Sequence, residues 1–268
     1  MNKLPILELL GTEPKSLGHQ HGEVYRHQIQ EIAEIRLERM CELSQFTKPK
    51  DVLALAKEHL PILEKFDRNL FLEILGISEA SNTSPEKIVV LNHYTDLRDI
   101  PKSNTDLGGC SIIYSPADKS PILGFTWDIH QSAKPFTILL KVKDTLMLSI
   151  TGCLGMAGLN QHGVALAINN LSSIDAKIGI VWPALVRKVL EQKSAKNAKD
   201  VIMDAPLGSG RHFAVADMNN FFSIEASATK KKIVNDNAEH LYFHTNHCLD
   251  EEMRKTHTVS KESTTFSR

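Results

Sequence analysis

The sequence has no excess of charge of either sign, few cysteines and no long apolar run. Its 31 Lys and Arg residues are balanced by 32 Asp and Glu residues, a formal net charge of −1, which argues against nucleic-acid binding through phosphate neutralisation. No segment approaches the roughly 20 apolar residues that a membrane-spanning helix needs. The apolar run near the amino terminus is interrupted by Pro5 and Glu8 and makes a poor signal peptide. These absences predict a soluble protein that binds neither nucleic acid nor membrane.

Cysteine is scarce, and its positions carry no metal-binding pattern. The four cysteines are too few and too widely spaced for a fold of 268 residues that depends on disulfides. They are Cys41, Cys110, Cys153 and Cys248. Unpaired thiols are typical of reducing compartments, so we predict a cytoplasmic protein. With 42% hydrophobic residues, the chain has enough apolar surface to form a sizeable core.

The hydrophobic pattern changes character near residue 105. Before that point apolar residues recur at three- and four-residue steps, which predicts helices over 22–43 and 51–75, the second bent or broken at Pro61. A third helix is predicted to begin after Ser84, a good N-cap residue, with Pro85 in its first turn. The front of the chain is therefore predicted to be helical.

After residue 110 apolar residues alternate with a period of two, which is typical of strands. The predicted strands are 111–114, 122–125, 136–142, 145–150, 163–169, 213–218 and 221–226. The helices predicted among them are 182–192 and 198–203. A helical front followed by antiparallel strands predicts an α+β fold.

A glycine-rich segment, 152–163, resembles a phosphate-binding loop only superficially. It lacks the Gly-Lys-Ser/Thr ending of such a loop, and it precedes a strand where a nucleotide-binding loop would open a helix. The segment therefore predicts close backbone packing.

Two polar residues at predicted strand ends are candidates for chemistry. Cys110 follows Gly108 and Gly109, and glycine permits backbone angles and close approaches that other residues resist, although an isolated cysteine is more often a small buried thiol. Asp128 follows Trp127 just past a predicted strand, where it either orients a reacting group or satisfies the amides of a turn. From the residues alone, both alternatives stay open at each position.

A histidine-rich segment near the carboxyl terminus allows a metal-binding alternative. On a helix, His240, His244 and His247 would share one face, and three imidazoles suit zinc. The intervening residues 241–243 favour a strand, in which these side chains would not share a face, and no carboxylate completes a zinc-protease pattern. The segment keeps a metal-dependent hydrolase as an alternative.

Five short motifs occur in order along the second half. They are GGC at 108–110, GFTWD at 124–128, GMAGLNQHGVALAINNL at 155–171, EAS at 225–227 and HTNH at 244–247. This ordered set resembles the penicillin acyltransferase-like peptidases, the family of acyl-coenzyme A:6-aminopenicillanic acid acyltransferase, which are N-terminal nucleophile hydrolases related more distantly to bile salt hydrolases. Segments 16–22 and 73–92 resemble the family's opening motif and helix pair, so the resemblance covers essentially the whole chain.

The resemblance implies a four-layer αββα sandwich with two antiparallel sheets, preceded by a helical segment. It implies that the chain divides into 1–109, a helical propeptide or α chain, and 110–268, the catalytic β chain. The family continues beyond the point where this sequence ends, so the resemblance also implies a catalytic segment that is incomplete at its carboxyl terminus.

The resemblance further implies that the chain cuts itself between Gly109 and Cys110, and that the two resulting chains stay associated. Cys110 then becomes an N-terminal nucleophile. A thiol and an α-amine have ordinary pKa values of about 8.5 and about 7.7–8.0, so the amine can serve as the base for the thiol. This chemistry calls for neither a metal nor a cofactor.

The other site residues follow from the family by position. Asp128 matches a residue that orients the substrate or the new amine, and Asn170 and Asn246 match asparagines that stabilise the oxyanion. Glu225 and Ser227 match a supporting acidic and hydroxyl pair. The chemistry agrees with the residue types, because an asparagine amide donates hydrogen bonds to a developing negative charge.

The implied function is a self-processing cysteine hydrolase or acyltransferase. It would act on linear amide (C–N) bonds of small N-acyl compounds through a thioester acyl-enzyme, with an acyl-coenzyme A or an amine acceptor as a candidate second partner. Phe125 occupies the position of an arginine in bile salt hydrolases, which argues against bile-salt chemistry. Two alternatives remain: the metal-dependent hydrolase, and a catalytically inactive family member that serves as a binding module.

Overall fold

A computed structural model describes residues 3–43, 46, 48–100, 109–117, 120–260 and 263–267, so Gly108 of the first motif lies outside the described residues. The helices are α1 (Pro14–Val24), α2 (Arg26–Leu43), α3 (Pro49–Glu58), α4 (Leu60–Phe66), α5 (Arg68–Ser81), α6 (Pro85–Asp99), α7 (Trp182–Leu190), α8 (Ala195–Asp204) and α9 (Glu251–Arg254). The strands are β1 (Ile6–Leu9), β2 (Ile112–Ser115), β3 (Ile122–Phe125), β4 (Thr137–Val142), β5 (Thr145–Ile150), β6 (Ala157–Asn160), β7 (Ala165–Asn170), β8 (Ser172–Ser173), β9 (Arg211–Ala216), β10 (Phe221–Ala226), β11 (Lys231–Asn235), β12 (Tyr242–His244) and β13 (His257–Thr258).

The helices of the front half begin and end at residues suited to those positions. Ser84 caps α6 through its side chain, as predicted. The predicted helix 51–75 is divided twice, because His59 and Asp67 separate α3, α4 and α5. Pro61 lies in the first turn of α4, where a missing amide costs little. No helix in the described part of the chain is long and apolar enough to cross a membrane.

The large sheet has eight strands in the order β1-β4-β5-β6-β7-β9-β10-β11. Neighbouring strands are antiparallel except β1 and β4, which are parallel. Strand β1 belongs to the front half, which the sequence pattern predicts as helical throughout. The surrounding pattern is helical, and the partner strand that holds these four residues extended lies far along the chain. The first segment therefore adds an edge strand to the sheet of the second.

The large sheet lies between two different layers. In β9, Phe213 packs with the helices on one face, while Ala214 faces a second sheet of three strands in the order β12-β2-β3. The small alanine side chains leave room between the sheets for aromatic rings, such as the stacked Tyr114 and Phe221, whose centroids lie 4.1 Å apart. The predicted α+β fold with helices and two sheets is confirmed.

The glycine-rich segment packs closely against its neighbours, as predicted. A Cβ atom on Gly158 would lie 2.2 Å from the main-chain oxygen of Leu146 on the neighbouring strand. Gly152 adopts a φ of 84° in the turn that follows β5, which glycine tolerates better than other residues.

A buried histidine holds that turn against the helices. His21 of α1 is fully buried, and its Nε2 accepts a hydrogen bond of 2.9 Å from the Gly152 amide. Burial, helped by the nearby charge of Arg187, lowers the pKa of His21 to about 3. The folded protein therefore keeps this ring neutral across the physiological range.

We expect His21 to make stability fall as the pH drops below neutrality. The unfolded chain protonates this ring at about pH 6.5, whereas the folded ring resists protonation until about 3, so its stabilising effect is complete above pH 6.5 and is lost progressively below it. Between about pH 7.5 and about pH 5.5 the loss is about 1.4 kcal/mol. The variant His21→Gln keeps an acceptor for Gly152 but does not titrate, so urea unfolding should show a pH dependence weaker by that amount. Equal pH dependence in the two proteins would contradict this expectation.

Candidate active site

The pairing of β12 with β2 brings Asn246 to Cys110. In this antiparallel pair His244 lies opposite Ile112, and continuing the register beyond it places Asn246 opposite Cys110. Asn246 Oδ1 accepts a hydrogen bond of 2.7 Å from the Cys110 amide, and Asn246 Nδ2 donates to Cys110 Sγ at 3.1 Å. The same Nδ2 donates to the main-chain oxygen of Asn170 at 2.9 Å. One side-chain amide therefore contacts both the thiol and the nitrogen of the Gly109–Cys110 peptide bond.

The pairing of β3 with β2 brings Asp128 to the carbonyl of that same peptide bond. Phe125 lies opposite Ile112, and continuing the register places Asp128 opposite Gly109. The main-chain amide of Asp128 donates to the Gly109 oxygen at 2.7 Å. Asp128 as a whole is exposed. The sequence predicts a role only for the Asp128 carboxylate, and this contact is instead made by the backbone.

The four predicted site residues line one cleft that is open to solvent. They are Cys110, Asp128, Asn170 and Asn246. Cys110 is only 6% exposed, so its thiol lies at the bottom of the cleft. Apolar side chains form much of the wall, among them Ile35, Trp127 and Met156. The cleft therefore offers a thiol, side-chain amides and an apolar surface to a small molecule.

Asn170 contacts Arg211, which forms an ion pair with Asp96 in the front half of the chain. It lies opposite Arg211 in the β7–β9 pair, and Arg211 Nη1 donates to Asn170 Oδ1. Arg211 Nη2 donates to Asp96 Oδ1 of α6 and, at 2.6 Å, to Thr95 Oγ1. The guanidinium is 2% exposed and lies over the Trp182 ring, 4.6 Å from its centroid. Burial raises the pKa of Asp96, and the positive charge of Arg211 opposes that rise.

The two predicted supporting residues lie away from the cleft. Glu225 is fully buried between the sheets, where its Oε1 accepts from the Leu249 amide at 2.5 Å and lies 3.0 Å from His244 Nε2. Ser227 donates to Asp175 Oδ2 at 2.7 Å in a turn. Glu225 thus supports the segment that carries the HTNH motif, whereas Ser227 stabilises a turn.

The three histidines of the metal-binding alternative do not converge. His244 is buried, with Nε2 near Glu225 and Nδ1 2.9 Å from Asn169 Oδ1, so hydrogen bonds occupy both ring nitrogens. His240 is exposed, and strand β12 (Tyr242–His244) follows it, so a helical spacing does not apply. Within the described ranges, no three His, Cys, Asp or Glu side chains are grouped to hold a metal ion. This arrangement does not support a metal-dependent hydrolase.

The helical half contributes side chains to the cleft that the sequence does not predict. Its lining includes Ile32, Ile35, Arg36 and Arg39 of α2, together with Arg98 of α6. Apolar and basic residues at these spacings look like an ordinary amphipathic helix. No local signal in the sequence separates them from a solvated helix face, because the cleft forms only when the helices pack on the sheet.

The packed sheets and helices define an α+β protein whose cleft contains a buried cysteine. The model of the family "acyl-coenzyme A:6-aminopenicillanic acid acyl-transferase" matches residues 117–267, more than half of the sequence. The chain therefore belongs to this family, as its motifs predict. The matched region contains Asp128, Asn170 and Asn246, and Cys110 precedes it.

Among solved structures, the chain matches penicillin V acylase from Agrobacterium tumefaciens. The two chains share 15% sequence identity with a TM-score of 0.30, and the match covers 51% of this chain and 44% of that chain. The likeness is too slight to define the fold, which rests on the helices and strands described above. A search of curated proteins gave no significant match.

Proposed function

We propose that this protein is a self-processing cysteine amidohydrolase or acyltransferase that acts on amide bonds of small N-acyl compounds. The observation that carries the proposal is the set of hydrogen bonds around one peptide bond. The Gly109 oxygen accepts from the Asp128 amide, while the Cys110 amide and thiol both contact Asn246. Membership of an acyl-transferase family supports acyl-transfer chemistry in this chain.

In the proposed self-cleavage, Cys110 Sγ attacks the carbonyl carbon of Gly109. A C–S bond forms while the C–N bond breaks, and the thiol proton passes to the nitrogen, which becomes the α-amine of Cys110. The Asp128 amide already donates to the carbonyl oxygen and would stabilise it as it gains negative charge. Water then hydrolyses the thioester, which leaves a carboxylate on Gly109 and restores the thiol.

Turnover would use the same atoms once the α-amine is free. The amine takes the thiol proton, and Cys110 Sγ attacks the amide carbonyl of the substrate. The leaving amine departs with that proton, and the acyl group remains as a thioester until water or an amine acceptor takes it. Asn170 and Asn246 would donate to the oxyanion, and the Asp128 carboxylate would orient the amine. This sequence of steps uses neither a metal nor a cofactor.

The shape of the cleft supports a small N-acyl substrate. Its apolar side chains, such as Ile32, Ile35 and Trp127, form a surface on which an acyl group can be buried. Arg36 and Arg39 line the same cleft and give it a cationic region beside the apolar one. We assign the acyl group to the apolar wall.

Two buried ion pairs support the association of the two segments after cleavage. Glu73 of α5 accepts from Arg187 of α7 at 2.7 and 3.0 Å, and Asp96 of α6 pairs with Arg211. Each pair joins residues 1–109 to residues 110–268. Separating the segments would leave four charged groups without their partners, which is costly for buried ions.

The proposal predicts an acyl group on Cys110 during turnover. The purified protein is mixed with N-acyl aminocoumarin amides of increasing acyl length, quenched in acid and analysed by mass spectrometry. We expect release of the coumarin and one added acyl mass on the peptide that contains Cys110. The variant Cys110→Ala should show neither. Hydrolysis that persists in Cys110→Ala would contradict the proposal.

A further inference from the structure

Arg211 occupies an unusual place for a buried charge, since it connects Asp96 to Asn170. Both contacts are made by one guanidinium that is 2% exposed, and Thr95 and the Trp182 ring hold it from other sides. A buried guanidinium has five N–H donors that need acceptors. One of the donors that Asp96 does not use contacts Asn170, which lines the cleft beside Cys110.

The donor chemistry of arginine fixes how Asn170 is oriented. A guanidinium has only donors, so the atom of Asn170 that it contacts is the side-chain oxygen. The nitrogen of an amide lies on the opposite arm, so Nδ2 turns away from Arg211. A free asparagine can present either atom to a ligand, and presenting the oxygen would repel an oxyanion. The contact therefore fixes Oδ1 of Asn170 on Arg211 and leaves Nδ2 as the atom that can donate to an oxyanion.

Resting on the proposed function, we propose that Arg211 is a positioning residue for Asn170, and that Asp96 of the helical segment holds Arg211 in place. The Asp96–Arg211 pair therefore makes the oxyanion-binding site depend on residues from both segments. Asp96 precedes the proposed cleavage point and Asn170 follows it. On this proposal, the enzyme works only while the helical segment stays bound after cleavage.

A double-mutant cycle on the full chain tests whether Arg211 acts through Asn170. The variants are Arg211→Lys, Asn170→Ala and the two combined. Lysine keeps the positive charge but lacks the planar fork that reaches two partners at once. With the most active aminocoumarin amide as substrate, we expect Arg211→Lys to lower kcat by about tenfold or more with little change in KM. In the Asn170→Ala background the same substitution should change kcat by less than about twofold.

Two further variants serve as a control and as a substitute for Arg211→Lys. Arg187→Lys alters another buried, ion-paired arginine that does not line the cleft, so kcat should stay near that of the parent. If Arg211→Lys does not fold, Asp96→Asn replaces it in the same cycle, because it weakens the hold on Arg211 while preserving shape. An equal loss of kcat in both backgrounds, or no loss from Arg211→Lys, would overturn the positioning role while leaving the proposed function intact. A parent protein that hydrolyses no amide would overturn the proposed function, and the positioning role with it.

Discussion

Replacing Asn246 with alanine is expected to slow cleavage of the Gly109–Cys110 bond by about 100-fold or more. The Asn246 side chain accepts from the amide of that bond at 2.7 Å and donates to the attacking thiol at 3.1 Å. The alanine variant loses both contacts at once, and its thiol loses the donor that holds it. The measurement is the fraction of cut chain against time after synthesis, followed by denaturing gel and intact mass.

Two variants distinguish the contacts of the Asn246 side chain from the contact that the Asp128 main chain makes. Asn246→Asp keeps an acceptor for the Cys110 amide, but it places a negative charge where a donor faces the thiol, so we expect cleavage nearly as slow as in Asn246→Ala. Asp128→Asn keeps the main-chain amide that binds the Gly109 oxygen, so cleavage should proceed close to the parent rate. Rapid cleavage in Asn246→Ala would contradict the assigned role of this side chain.

Replacing Arg187 with leucine is expected to lower the free energy of unfolding by about 3–5 kcal/mol. Arg187 is 7% exposed and its partner Glu73 is 1% exposed, and the pair makes two hydrogen bonds of 2.7 and 3.0 Å. The substitution leaves the Glu73 carboxylate buried without its cation. The measurement is urea unfolding at neutral pH, in which the midpoint and the slope together give the free energy of unfolding.

The matched control removes both charges together. The double variant Arg187→Leu, Glu73→Leu leaves no unpaired buried ion, and apolar replacements of buried pairs are often neutral in stability. We therefore expect it to be clearly more stable than Arg187→Leu alone. A double variant as unstable as the single one would show that packing around Arg187, and not the charge on Glu73, dominates.

The period of the apolar residues predicts several elements of this fold to the residue. Strands β3, β5 and β10 occupy the predicted 122–125, 145–150 and 221–226. The sequence does not predict strands β1 and β6, because β1 lies in the half with a helical pattern and β6 lies in the glycine-rich segment. Their strand conformation depends on partners in the sheet, which a local pattern does not contain.

The site residues also differ in whether a local sequence pattern identifies them. The motifs of the second half carry Cys110, Asp128, Asn170 and Asn246, and the structure brings all four to one cleft. Arg211 opens a strand in a segment with no motif, and its importance comes from lying opposite Asn170 and beneath α6. These relations join residues far apart in the sequence, so only the packed structure reveals them.

Whether Cys110 becomes an N-terminal nucleophile can be read from the intact mass of the purified protein under denaturing conditions. We expect two fragments from the parent protein, the second beginning at Cys110 by N-terminal sequencing. We expect a single uncut chain from the Cys110→Ala variant. A parent protein that remains one uncut chain and still hydrolyses amides would rule out this mechanism, because the α-amine that serves as the base would never form.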